Sequence, residues 1–236
     1  QVMFKEIPDT RPVTPLLDIV ESPEDLRKLA IGDLPELSKQ LRHFLLYTVG
    51  QNGGHFSAGL GVVELTIALH YVFQTPLDRL IWDVGHQTYP HKILTCRREA
   101  MNQLRKAGGI APFPSREESE YDIFGTGHSS TSISAALGIE LAAKLNDDTN
   151  KTLLVIGDGA MTAGMAFEAL NHVSTRQADI LIVLNDNAMS ISENVGGLAD
   201  YFARNVAGNE LNRGNFYEPR TIPGSIFQEL GFAYSG

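Results

Sequence analysis

The sequence predicts an α/β fold, a parallel sheet flanked by helices, and three observations carry that reading. Residues 152–156 hold the unbroken apolar run Leu153-Leu154-Val155-Ile156, as expected of a central parallel strand covered on both faces. Residues 179–184 hold a second apolar run of strand length. Residues 160–173 between them are helical in pattern, so the three segments form a βαβ unit close to minimal length.

The other elements follow in chain order. Pro8, Pro12 and Pro15 interrupt regular structure, so residues 1–20 read as an N-terminal arm. Ser22 followed by Asp25 caps a short helix carrying Leu26 and Leu29. After Asp33, Leu34, Leu37, Leu41, Leu45 and Thr48 fall on one helical face, and Gly53-Gly54 ends that helix just before His55. Residues 62–73 are apolar nearly all round and read as a buried helix. Residues 79–84 are strand-like and run into Gly85-His86. Residues 99–106 read as a helix stopped by Gly108-Gly109. A polar loop spans 111–126, and an Ala-rich helix spans 131–145. Gly157-Asp158-Gly159 reads as the turn between the 152–156 strand and the next helix.

Composition bounds the function. The 236 residues are ample for a hydrophobic core, at 43% hydrophobic and 20% charged. A net charge of -9 argues against nucleic acid as a partner, because such contacts need Lys and Arg to neutralise phosphates. A small anionic ligand is still compatible, since a local site can be positive within an acidic protein. A single cysteine, Cys96, permits no intrachain disulfide. No stretch has the length of an apolar membrane span, and the start lacks a basic and apolar leader pattern. These features predict a cytoplasmic protein with no membrane partner.

The chemistry concentrates at strand ends. Gly157-Asp158-Gly159 lies at the carboxyl end of a central strand, where open α/β sheets bind ligands. Glycines allow close backbone approach to phosphate, and an aspartate there makes sense if a cation lies between the two anions. The second strand ends in Asn185-Asp186-Asn187, so Asp158 and Asn187 can offer hard oxygen ligands to one Mg²⁺. An isolated Asn-Asp-Asn more often shapes a loop; its pairing with Gly-Asp-Gly favours the metal. His43, His70 and His172 sit in helical patterns and read as structural, while His91 stays unassigned. His55 and His128 follow glycine-bearing loops, where function outweighs packing. No spacing suggests zinc, and Arg97-Arg98 reads as solvated surface.

Gly-Asp-Gly followed some thirty residues later by Asn resembles the metal and diphosphate motif of thiamine-diphosphate enzymes. Four longer stretches narrow the resemblance: Trp82-Asp83-Val84-Gly85-His86-Gln87-Thr88-Tyr89-Pro90-His91-Lys92, Gly127-His128-Ser129-Ser130-Thr131-Ser132-Ile133-Ser134, residues 157–172, and Asn185-Asp186-Asn187-Ala188-Met189-Ser190-Ile191-Ser192. Together they resemble the 1-deoxy-D-xylulose-5-phosphate synthase family from about residue 16 to 198; transketolase shares only the Gly-Asp-Gly logic. The resemblance implies a thiamine-diphosphate-binding fold, with thiamine diphosphate and Mg²⁺ as cofactors. It implies Asp158, Asn187 and the Met189 carbonyl as Mg²⁺ ligands. It implies Gly127, His128, Ser129, Gly159 and Ala160 as cofactor contacts, His86 against the diphosphate and the reactive end, and His55 near the substrate.

The same resemblance implies pyruvate and D-glyceraldehyde 3-phosphate as substrates, 1-deoxy-D-xylulose 5-phosphate and CO2 as products, and a homodimer. It divides the chain into the arm at 1–20, a thiamine-diphosphate and Mg²⁺ domain at 21–198, a shortened or mobile loop at 199–220, and at 221–236 the start of a segment leading to a pyrimidine-binding domain. That second domain, which carries the family's activating glutamate, is absent from these 236 residues. Two alternatives stay open: another transketolase-like transferase, and a non-catalytic module binding Mg²⁺ and diphosphate.

Overall fold

A computed structural model describes residues 7–176, 178–186, 197 and 225–235. Its centre is a three-stranded parallel sheet in the order β1-β2-β3, with β1 at Arg79–Trp82, β2 at Thr152–Gly157 and β3 at Ile180–Asn185. Thr152 pairs with both Arg79 and Ile180, and the β2–β3 register runs on to Gly157 opposite Asn185. The carboxyl ends of these two strands are therefore level neighbours, as the apolar runs predicted.

Strand alternation divides the core into layers. Ile81, Leu154, Ile156, Ile182 and Leu184 face one side, where they pack on α7 (Ser132–Leu145) and α9 (Gly164–Arg176). Leu80, Trp82, Leu153, Val155 and Val183 face the other, against Val62, Leu65 and Leu69 of α5 (Val63–Val72) and its entry. Behind α5 lies a second cluster built by α1 (Pro15–Asp18), α2 (Pro23–Leu26), α3 (Leu34–Asn52) and α6 (Tyr89–Lys92). The short α4 (Phe56–Leu60), α8 (Asp158–Met161) and α10 (Ile226–Glu229) complete the set. Phe227 of α10 and Tyr234 join the layer beneath α7 and α9. No helix among the described residues is long and apolar enough to cross a membrane.

Several expectations change. Pro15 opens α1 instead of blocking it, since the first helical turn needs no N–H from that residue. Leu17 and Val20 are fully buried, so the end of the 1–20 arm belongs to the core. The helix expected at 99–106 is only a 3-10 turn at Glu99–Gln103, preceded by a kinked stretch at Ile93–Arg97 where Cys96 has φ +64°. The cause is anchoring to distant segments, by backbone and side chain. Cys96 N–H donates to Glu21 O, and the Arg97 and Arg98 side chains turn inward. Arg98 reaches Leu17 O at 2.5 Å and Glu21 at 2.5 Å, and Arg97 forks onto Asp122. The pair is thus buried and ion-paired, not solvated. Finally, the helix after β2 breaks at Thr162-Ala163, separating α8 from α9. The expected loop at 199–220 lies outside the described residues.

Candidate functional site

β1 and β2 deliver their chemistry at the same edge. Past Trp82 the chain runs through Asp83, Val84 and Gly85 to His86, and past Gly157 it enters α8 with Asp158. Asp158 is buried, and Gly159 and Ala160 are half-buried. The 127–130 segment meets both. Ser130 N–H donates to Asp83 Oδ1 at 2.7 Å, and the Ser130 hydroxyl donates to the Ala160 carbonyl at 2.7 Å. Gly127, His128 and Ser129 immediately precede this anchor and are exposed. Asn187 and Met189 follow β3 by two and four residues but lie outside the described residues. Among the described residues no group of three or more metal-binding side chains occurs, so the metal reading rests on Asp158 here.

His55, at the N-terminus of α4, comes to this edge from the far end of α3. Its ring lies edge-on to that of His86, 5.7 Å between centroids, with Phe113 at 6.3 Å. Burial pushes the His55 pKa down, and the Arg105 charge adds to this. Burial also lowers that of His86; His55 reinforces the effect and Asp83 opposes it. Both rings are therefore neutral at pH 7, able to accept or pass a proton.

The surroundings are built for close approach. Gly85 has φ +97°, and a methyl there would sit 2.4 Å from Pro114 Cδ and 2.5 Å from Thr126 Oγ1. A methyl on Gly54 would sit 2.7 Å from the Tyr89 hydroxyl. His86 Nδ1, Tyr89 Oη and Thr126 Oγ1 are all buried without a hydrogen-bond partner among the described residues. Orphaned polar atoms are uncommon in a folded interior, and three around one edge point to a polar ligand or water. A Cβ on Gly127 would meet nothing within 4 Å, leaving that backbone open. The backbone is also strained here: Val84 and Ser130 have φ +58° and +68°. Such conformations cost about 1–3 kcal/mol each and cluster at functional sites.

Sequence reasoning missed Asp83 as a separate actor. It lies within the 82–92 stretch, but no local signal shows that its carboxylate reaches residues 130 and 132. It also missed the cluster of Lys92, Arg97, Glu118 and Asp122, with His91 beside it, that ties α6 and the 93–97 stretch to the 111–126 loop.

Comparison with known proteins decides the relationship. The family model described as 1-deoxy-D-xylulose-5-phosphate synthase, N-terminal part, matches residues 17–217. The chain belongs to the 1-deoxy-D-xylulose-5-phosphate synthase family. It is 57% identical to the synthase of Hahella chejuensis and 56% identical to that of Cellvibrio japonicus, each over 99% of this chain and 40% of the relative. The chain thus spans about two fifths of these relatives' length. Among solved structures, a transketolase mutant from Pichia stipitis superposes with a TM-score of 0.59 at 20% identity, over 73% of this chain and 31% of that one. That likeness shows the fold: this is the sheet-and-helix layer arrangement of a thiamine-diphosphate-binding fold, as the sequence predicted.

Proposed function

We propose that this chain supplies the diphosphate- and metal-binding half of a 1-deoxy-D-xylulose-5-phosphate synthase, with thiamine diphosphate and Mg²⁺ as its cofactors. The observation that carries this is the stitching of three segments, 83–86, 127–130 and 158–160, at one sheet edge in a chain of that family. The residues fit the cofactor. Asp158 offers a hard anionic oxygen at the strand end, as Mg²⁺ requires, and Asn187 with the Met189 carbonyl would complete the protein's share. Gly159 and Ala160, with Gly127, His128 and Ser129, present backbone to the diphosphate. His86 lies at the same edge, with a buried Nδ1 that has no hydrogen-bond partner among the described residues.

When bound, thiamine diphosphate supplies the electron sink that decarboxylation of a 2-oxo acid needs. The chain's own residues orient and protect that chemistry. His86 and His55, both neutral at pH 7, take the roles of proton holders at the reacting end, with Phe113 walling off water beside them. In the whole protein, pyruvate and D-glyceraldehyde 3-phosphate are the substrates, and 1-deoxy-D-xylulose 5-phosphate and CO2 the products, feeding isoprenoid, thiamine and pyridoxal precursor synthesis. We place the protein in the cytoplasm, as a homodimer.

Calorimetric titration of the chain with thiamine diphosphate at fixed Mg²⁺ tests the assignment. Binding should require Mg²⁺ and be lost in Asp158→Ala, while circular dichroism stays unchanged. Equal affinity of parent and Asp158→Ala would reject the metal role.

A further inference from the structure

One buried carboxylate is tied to all three segments of the site. Asp83 is the first residue past β1 and is 1% exposed. Its N–H donates to the Val155 carbonyl on β2 at 2.8 Å, and its carbonyl accepts from Gln87 Nε2 at 3.1 Å. Its two carboxylate oxygens accept separate backbone donors, Oδ1 from Ser130 at 2.7 Å and Oδ2 from Ser132 at 3.1 Å. Ser130 passes the connection on through its hydroxyl to the Ala160 carbonyl.

Two features show that this carboxylate does more than fill space. The helix α7 begins at Ser132, yet its N-cap residue Thr131 makes no side-chain capping bond. Asp83 provides that cap from a different element, satisfying a donor that the start of every helix leaves unpaired. The left-handed conformations also flank it, at Val84 with φ +58°, Gly85 with φ +97° and Ser130 with φ +68°. Strained backbone persists only where its surroundings determine it more than once, and Asp83 is the group common to both stretches.

We infer that Asp83 is a positioning residue for the diphosphate loop: its carboxylate locks Ser130 and the start of α7, and so presents residues 127–129 beside Gly159 and Ala160. This rests on the cofactor reading given above. Asp83 does not itself face the ligand. Both oxygens are engaged by backbone N–H groups, which stabilise the carboxylate where it lies and leave it no accepting geometry for a ligand proton donor better than these. Residues 127–129 are exposed, and among the described residues they are held from the C-terminal side, by the anchor at Ser130 and by Thr131 Oγ1 donating to the His128 carbonyl at 3.4 Å.

The test compares the chain with Asp83→Ala, Asp83→Asn and Ser130→Ala, each below its own unfolding temperature. Binding is measured with Mg²⁺ thiamine diphosphate and, separately, with Mg²⁺ and inorganic diphosphate. Hydrogen exchange is followed at the amides of residues 130 and 132. Asp83→Ala should weaken both ligands by about tenfold or more, the worth of hydrogen bonds to a charged acceptor. Asp83→Asn keeps one accepting oxygen and should recover part of that loss. Ser130→Ala, which leaves the carboxylate in place, should weaken binding by about threefold. Exchange at residues 130 and 132 should accelerate in Asp83→Ala and less in Asp83→Asn. Should Asp83→Ala not fold, the other two variants carry the comparison. A parent chain that binds neither ligand overturns the cofactor reading itself. A parent that binds, with variants of equal or higher affinity, overturns the positioning role alone. A loss confined to thiamine diphosphate, with inorganic diphosphate unaffected, also overturns it, because the effect would then lie at the thiamine end.

Discussion

Gly85 and Gly127 stand in the same site for opposite reasons. Gly85 is held at φ +97° between Pro114 and Thr126, with no space for a methyl group. Gly85→Ala should cost about 2 kcal/mol or more, combining an unfavourable φ with overpacking. A lowered urea midpoint at unchanged slope would show it. Gly127 has open space where a methyl would be. Gly127→Ala should change stability by less than about 0.5 kcal/mol, as surface substitutions generally do, yet lower thiamine-diphosphate affinity. Parent-like affinity in that variant would remove Gly127 from the diphosphate contacts. At this scale the sequence was readable where a residue's role follows from its type. Gly85 before His86, Asp158 between glycines, and His55 after Gly53-Gly54 all lie at the carboxyl edge of the sheet or beside His86. It was not readable for Arg97 and Arg98, whose partners Asp122 and Glu21 are distant in the chain.

Between elements, a buried hydrogen-bonded line joins α5, α6 and the 111–126 loop. His70 Nδ1 meets Thr75 Oγ1 at 2.7 Å, His70 Nε2 meets His91 Nδ1 at 2.9 Å, and His91 Nε2 meets Asp122 Oδ1 at 3.0 Å. Asp122 as a carboxylate can only accept, so His91 donates to it; with His91 neutral its Nδ1 then accepts from His70, and His70 Nδ1 accepts from Thr75. Both rings are then neutral. Burial holds the His70 pKa well below its ordinary 6.5, aided by His91, Arg27 and Arg97. Burial lowers that of His91 too, against the pull of Asp122. Burial would raise the Asp122 pKa, but hydrogen bonds from His91 and Arg97 overcome it and hold it far below the carboxylate range.

All three groups bind fewer protons folded than unfolded in acid, so stability rises with pH there. The histidine contribution is complete above about 6.5 and is lost as pH falls through the depressed folded values. The Asp122 contribution is present above its unfolded value of 3.8 and is lost below it. The thermal midpoint should therefore fall from about pH 6.5 downward, before ordinary carboxylates titrate. His70→Gln, although less stable overall, should show a shallower decline between about pH 6.5 and 5. An identical slope in parent and variant would show that these rings do not carry the effect. The functional consequence lies in the loop. Asp122 also accepts from Ser115 N–H and Glu118 from Ala111 N–H, so the line holds the segment that carries Phe113 and Pro114 against His55 and Gly85.

For the whole molecule, anchoring and turnover should separate. Diphosphate binding is local and electrostatic, so the 236 residues should bind thiamine diphosphate weakly by themselves. On the proposed function, turnover would need an activating glutamate that the family resemblance places in a second domain. The chain alone should release no CO2 from pyruvate with glyceraldehyde 3-phosphate present, and the remainder of the protein, covalent or as a second chain, should restore release. In the restored enzyme, His55→Ala should lower turnover more than cofactor affinity. Robust CO2 release by the 236-residue chain would show that its catalytic machinery is complete. Light scattering well above micromolar concentration should find a dimer, and a strict monomer would count against the assembly.

What the sequence by itself determined is the local part of this protein. The apolar run at 152–156 dictates a central strand, because a strand buried on both faces cannot alternate with polar residues, while the matching run at 179–184 gives a strand that is only half-buried. Gly-Asp-Gly and Asn-Asp-Asn then mark the strand ends, since glycine and short polar side chains are what a tight turn needs. Only the tertiary structure decided which distant groups meet. The Asp83 cap on α7, the contact between His55 and His86, and the burial of His91, Lys92, Arg97 and Asp122 all join residues from separate elements. The reason is physical: an isolated charge is expensive to bury, and whether a partner stands opposite depends on packing, not on the neighbours in sequence.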